Sequence, residues 1–124
     1  MVEWVPLGEG NVDFHKIVAL IRAAKPDIYV YMKPITGRPA RLIGYLEPDF
    51  WRTYPDARAP EFARFLALAK RGAPYNKPVI EEDLPGGHLP EAFIPAIQYQ
   101  QRDHMQRSIE YGKNVLNLGV RWRA

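Results

Sequence analysis

Asp27 to Lys33, DIYVYMK, constrains the fold more than any other stretch. Ile28, Val30 and Met32 alternate with Tyr29, Tyr31 and Lys33, so both sides of the segment are largely apolar, as in a strand covered on both faces. Such a strand cannot satisfy its own backbone, because every buried N–H and C=O needs a partner. An unpaired buried amide costs about 1–3 kcal/mol. Some six of them would cancel the ~5–15 kcal/mol that stabilises a small domain. The sequence therefore predicts residues 28–32 inside a sheet. Within the chain the only candidates to flank them are weak terminal segments, Val2 to Val5 and Val120 to Arg123. Otherwise the neighbours belong to another chain or to an N-terminal part of the same fold.

The residues before this strand make it the second half of a βαβ unit that occurs once. Met1 to Leu7 alternates weakly, as a short edge strand would, and Gly8-Glu9-Gly10-Asn11 is a turn. Asp13 is an N-cap, with Val12 and Ile17 placed as a hydrophobic staple. Phe14, Ile17, Val18 and Ile21 share one helical face, and Lys25-Pro26 stops the helix near residue 24. After the strand, Pro34 to Gly44 reads as a loop and Pro48 opens a short helix over residues 49–53. Pro60 opens a further helix with Phe62, Phe65, Leu66 and Ala69 as its stripe and Gly72 as its C′ cap. Residues 73–90 read as a long loop. A final helix runs from about Glu91 to Asn117, disturbed by Pro95. Ile97, Met105, Ile109 and Leu116 mark its buried side.

The 124 residues, 47% hydrophobic and 25% charged, fit one soluble domain. Apolar runs are too short and broken for a transmembrane helix, and no basic-then-apolar leader follows Met1. The absence of cysteine excludes disulfides and thiolate metal sites, and fits a reducing, cytoplasmic compartment. The net charge of +3 is spread along the chain. Its densest basic cluster, Arg121-Trp122-Arg123, is too short to indicate nucleic-acid binding. His15, His88 and His104 form no metal-ligand spacing, and there is no nucleophile elbow, P-loop or dinucleotide fingerprint. Glu81-Glu82-Asp83 with His88 is the remaining carboxylate–histidine cluster, or else a solvated acidic loop.

Two stretches, VPLGEGNVDFHKIVALIRAAKPDIYVYMKPIT and HMQRSIEYGKNVLNLG, resemble the C-terminal portion of the sugar phosphate isomerase/epimerase family, the xylose-isomerase-like TIM barrels. LEPDFWRTYPD between them is similar to a short aromatic helix of some members. The resemblance implies an α/β fold over residues 1–124: a partial TIM barrel, helix-rich with few strands, completed by oligomerisation or by an N-terminal part. Members hold a divalent metal (Mn, Mg, Co or Zn) that polarises substrate oxygens while carboxylates move a proton between adjacent carbons. Aligning Ile35-Thr36 with the family places Lys33 where a metal-binding glutamate stands. An ammonium is a poor ligand, and the other three metal ligands have no counterpart here. The expectation is that the chain alone binds no metal and carries no catalytic residue.

Glu9, Lys33, Thr36 and Arg38 are the candidate substrate-binding residues. Arg38 suits bidentate oxyanion contacts and Lys33 is a fixed positive charge; a solvated surface role is the alternative for each. Glu9 either lines a pocket or simply belongs to a turn. The resemblance implies a small sugar or polyol as ligand and a homo-oligomer or complementary barrel half as partner, with no membrane or nucleic acid. The alternative is a non-catalytic interaction or partner subunit that buries residues 28–32 in a shared sheet.

Overall fold

The computed structural model describes residues 1–81 and 89–119. Four α-helices follow one another: α1 (Phe14–Ala24), α2 (Pro48–Arg52), α3 (Ala59–Arg71) and α4 (Ile94–Asn114), the last preceded by a 3₁₀ turn, Glu91–Phe93. Local chemistry sets their ends. Asp13 accepts a hydrogen bond from the Lys16 amide at 3.0 Å and caps α1. Lys25, held out of the α region by Pro26, ends it at φ −152°. Pro48 and Pro60 occupy the first turns of α2 and α3, where a missing N–H costs nothing. Pro95 does the same for α4: it marks the helix start and does not disturb an interior. Gly72 ends α3 in an extended conformation, φ −66°, so it is not the left-handed C′ cap the sequence predicts.

The α/β partial barrel is overturned. Among the described residues there is no sheet, and the sole β pairing is an isolated antiparallel bridge between Val2 and Arg41. Residues 28–32, expected inside a sheet, lie outside any. Tyr29 and Tyr31 are 83% and 88% exposed. The other predicted neighbour, residues 120–123, lies outside the described residues. The physical reason is a shortage of partners. Strand-forming composition is a preference for a half-buried, pleated surface, and it yields a strand only where a second backbone lies alongside. No described segment lies alongside this one.

Among the described residues no two α-helices bring their backbones close together. The chain instead closes around α4, through loops. Gln100, His104, Ser108 and Gly112 are buried one turn apart along that helix, while Ile109, expected on the inner side, is 38% exposed. Ile97 and Leu116 are the buried hydrophobic residues. The Ser108 hydroxyl accepts from the Leu7 amide at 3.0 Å and donates to the His104 carbonyl at 2.6 Å. The Gln100 carboxamide accepts from the Ile80 amide at 2.6 Å and donates to the Ile80 carbonyl at 2.9 Å. Asn11 pairs with the backbone of Ala73 in the same two-handed way, at 2.9 and 2.8 Å. Arg22, near the end of α1, donates to the Asn117 carbonyl at 2.8 Å. A separate aromatic cluster joins α2 to α3, with Trp51 edge-on to Phe62 at 4.8 Å and Tyr45 5.6 Å from Phe62. The Trp51 indole donates to the Tyr45 carbonyl at 2.8 Å.

Gly8 turns the N-terminal segment toward α4 at φ +87°, where a Cβ would overlap the Tyr111 ring. Both the left-handed backbone and the close approach require glycine. Gly8→Ala is expected to cost about 1–3 kcal/mol, read as a lower thermal midpoint of the helical circular-dichroism signal. An unchanged midpoint would show that this turn does not hold the N-terminal segment on α4.

Candidate functional site

The densest charged cluster surrounds Glu9. The 7–11 turn, closed by a hydrogen bond from the Glu9 amide to the Pro6 carbonyl at 3.0 Å, presents the carboxylate to α4 and to the loop after α3. One carboxylate oxygen accepts from the Tyr75 hydroxyl at 2.9 Å and from the Lys77 ammonium at 2.7 Å. The other is paired with the Arg107 guanidinium. Arg107 also pairs with Asp103 one turn earlier on α4, at 2.8 Å. Glu9 and Arg107 are only 23% and 26% exposed in their side chains, so the pair is shielded from solvent more than a surface ion pair. Burial opposes ionisation of Glu9. Hydrogen bonds from Lys77, Tyr75 and Arg107, with the Arg107 charge, outweigh it and hold the carboxyl below the ordinary glutamate range.

His104 lies under this cluster, 3% exposed. Its Nδ1 is buried without a hydrogen-bond partner among the described residues. Burial first, then the nearby Arg107 charge, lowers its pKa and keeps the imidazole neutral. His15, by contrast, packs edge-on toward Tyr111 at 6.4 Å on the outside of α1.

The four residues singled out by sequence are not gathered into one constellation. Glu9 and Lys33 both line a groove of about 1150 Å³. Its apolar wall includes Trp4, Ile17, Ile21 and Val30. Lys33 and Thr36 also line a shallower recess of about 500 Å³ with Gln101 and Met105. There the Thr36 hydroxyl accepts from Gln100 at 2.9 Å. Arg38 is exposed beside the buried, left-handed Gly37 and borders neither cavity. Tyr75 and Lys77 escaped sequence reasoning because they meet Glu9 across more than sixty residues, with no local spacing to announce it. Arg107 carried one weak signal, its i,i+4 relation to Asp103. The carboxylate–histidine cluster of Glu81, Glu82, Asp83 and His88, and the basic run 121–123, fall wholly or mostly outside the described residues.

The donors present do not fit the metal of the resemblance. Lys33 carries an ammonium, which is a poor ligand, Glu9 is already engaged by two cations, and among the described residues no three His, Asp or Glu side chains are grouped to hold an ion. Likewise, no helix among them is long and apolar enough to cross a membrane. The chain matches no family model, no curated protein and no solved structure.

Because the folded-state pKa of Glu9 is depressed, its contribution to stability is complete above the ordinary value of 4.5. It is lost as the pH falls through the lower folded value. Glu9→Gln keeps the shape and removes the charge. It is expected to cost about 1–2 kcal/mol at pH 7 and to flatten the acid limb of a stability-against-pH profile below pH 4.5. A parallel profile for the two proteins would mean that Glu9 is solvated.

Proposed function

We propose that this chain acts as a partner subunit, without turnover by itself, whose assembled form binds a small sugar or polyol in the manner of the sugar phosphate isomerases and epimerases its sequence resembles. One observation carries the first half of this reading. A folded monomer of 14.3 kDa exposes about 6,800 Å², whereas this chain exposes 10645 Å². The surplus is apolar in large part: Leu20, Val30, Leu42, Leu46 and Leu68 are each more than half exposed. Surface of that kind and extent is what obligate interfaces cover.

The polyol half is supported by the resemblance and by the lining of the large groove. Glu9, Tyr75, Lys33 and Ser108 set polar groups among aromatic and aliphatic walls, the mixture that small-ligand sites share. A carboxylate accepts from sugar hydroxyls, an ammonium suits a phosphate, and an aromatic face covers the C–H side of a ring. Glu9, fixed by Arg107 and Lys77, is preorganised for the first of these tasks.

Light scattering of the purified chain at micromolar concentration is expected to show a dimer or larger species; a stable, well-folded monomer would refute the partner reading. Alone, the chain is expected to interconvert no aldose and ketose phosphates, with or without added Mn, Co or Zn, and to retain no stoichiometric metal. One tightly held divalent ion per protomer would overturn that. In the assembled species a ketopentose phosphate should bind, and Glu9→Gln should weaken it about tenfold; binding indifferent to Glu9 would remove the polyol half.

A further inference from the structure

The proposal that the chain is completed by a partner leaves the partner's identity open, and residues 26–34 narrow it. Among the described residues, no backbone amide or carbonyl from Tyr29 to Lys33 makes a hydrogen bond. Exposure alternates along the segment with the period of a strand. Tyr29 and Tyr31 stand at 83% and 88%, while Ile28 and Val30 stand at 44% and 53%. Met32 reaches α4, where its methyl group would lie 3.1 Å from a Cβ placed at Gly112. Ile28 to Pro34 all border the large groove, the tyrosines included. A row of free donors and acceptors over an apolar face is completed by another extended backbone.

Which backbone follows from the sequence PDIYVYMKP, which is self-complementary when read against itself in reverse. Antiparallel pairing centred on Val30 sets Val30 opposite Val30 of a second copy, Tyr29 opposite Tyr31, Ile28 opposite Met32 and Asp27 opposite Lys33. Every pair is of a favourable kind: aromatic with aromatic, aliphatic with aliphatic, acid with base. In the same register Pro26 meets Pro34. Neither proline has an N–H to donate, so both strands end their ladder at the same point. A parallel, in-register pairing would instead set Asp27 against Asp27 and Lys33 against Lys33. Sliding the antiparallel register by one residue sends the tyrosines to the aliphatic face.

We infer that the partner is a second copy of this chain, joined through a two-stranded antiparallel ribbon of residues 27–33 with its dyad at Val30. The inference rests on the partner-subunit reading above and is independent of the polyol. The ribbon sets Ile28, Val30 and Met32 of both copies on one face and gathers four tyrosines on the other. It thereby closes the part of the surface where free backbone and exposed apolar side chains coincide.

The chain has no cysteine, so Val30→Cys introduces a single thiol. Paired Cα atoms across an antiparallel ribbon are about 4.5–5.5 Å apart, inside the roughly 4.4–6.8 Å range of disulfides. Mild oxidation should convert this variant quantitatively to a covalent dimer, and Tyr29→Cys at least tenfold more slowly. Asp27→Lys and Lys33→Asp should each weaken self-association about tenfold, and an equimolar mixture of the two should restore it as a heterodimer. Circular dichroism of each variant separates this from loss of fold, and the mixture keeps the test informative should either variant alone be poorly folded. A monomeric parent protein overturns both this inference and the partner reading. An oligomer that neither cross-links through position 30 nor responds to the charge exchange overturns the ribbon and leaves the partner reading standing.

Discussion

Gln100, His104, Ser108 and Gly112 lie one turn apart on α4, and the loops of this protein close onto that line largely through hydrogen bonds. Where most small domains bury an aliphatic stripe, this helix buries an amide, an imidazole, a hydroxyl and a glycine. Three of them have separate tasks. Gln100 serves both backbone groups of Ile80, Ser108 receives the Leu7 amide, and Gly112 leaves room for Met32. Asn11 repeats the device on Ala73, away from the helix. In all three hydrogen-bonded cases a side chain stands where a neighbouring strand would supply the backbone partner. That device secures individual amides, but it cannot serve a run of five, and Tyr29 to Lys33 is left without it.

The same arrangement accounts for the charged cluster. Once Ser108 holds Leu7 against α4, the following turn brings Glu9 to Arg107, the residue beside Ser108 on the helix. Tyr75 and Lys77 arrive from the loop that Asn11 pins through Ala73. The cluster is therefore a consequence of how the backbone is satisfied, and its shielding gives the Glu9–Arg107 pair more weight than an exposed pair would have. His104, buried beneath it with an unpaired nitrogen, stays neutral because a second positive charge next to Arg107 has neither solvent nor a free carboxylate to balance it.

Small hydrophobic contacts do the rest: Ile97 is buried on α4 and Leu116 just past its end, and the aromatic group of Tyr45, Trp51 and Phe62 lies between α2 and α3. With the backbones of the described helices standing apart, neither place grows into a continuous core. The exposed aliphatic residues are what such a core lacks: Leu20, Leu42, Leu46 and Leu68 are each more than half exposed. Residues 29–33 combine exposed apolar side chains with unmet backbone bonds.

By itself the sequence determined the local elements. The Asp13 cap, the Lys25-Pro26 stop and the prolines at positions 48 and 60 each act within a few residues, and the helices begin and end close to where those residues put them. It also determined that residues 27–33 have a strand's composition and two apolar faces, which depend on nothing but side-chain alternation. Whether that segment became a strand was decided only in three dimensions, because a ladder needs a second backbone and, among the described residues, none is brought alongside. Tertiary structure alone also set which face of α4 turned inward. Of the apolar residues expected on the inner side, Ile97 and Leu116 are buried, but between them the hydrogen-bonding demand of distant loops turned Gln100, His104 and Ser108 inward in place of Met105 and Ile109. The ring of partners about Glu9 was hidden for the same reason: contacts across sixty to a hundred residues leave no spacing in the sequence for chemistry to read.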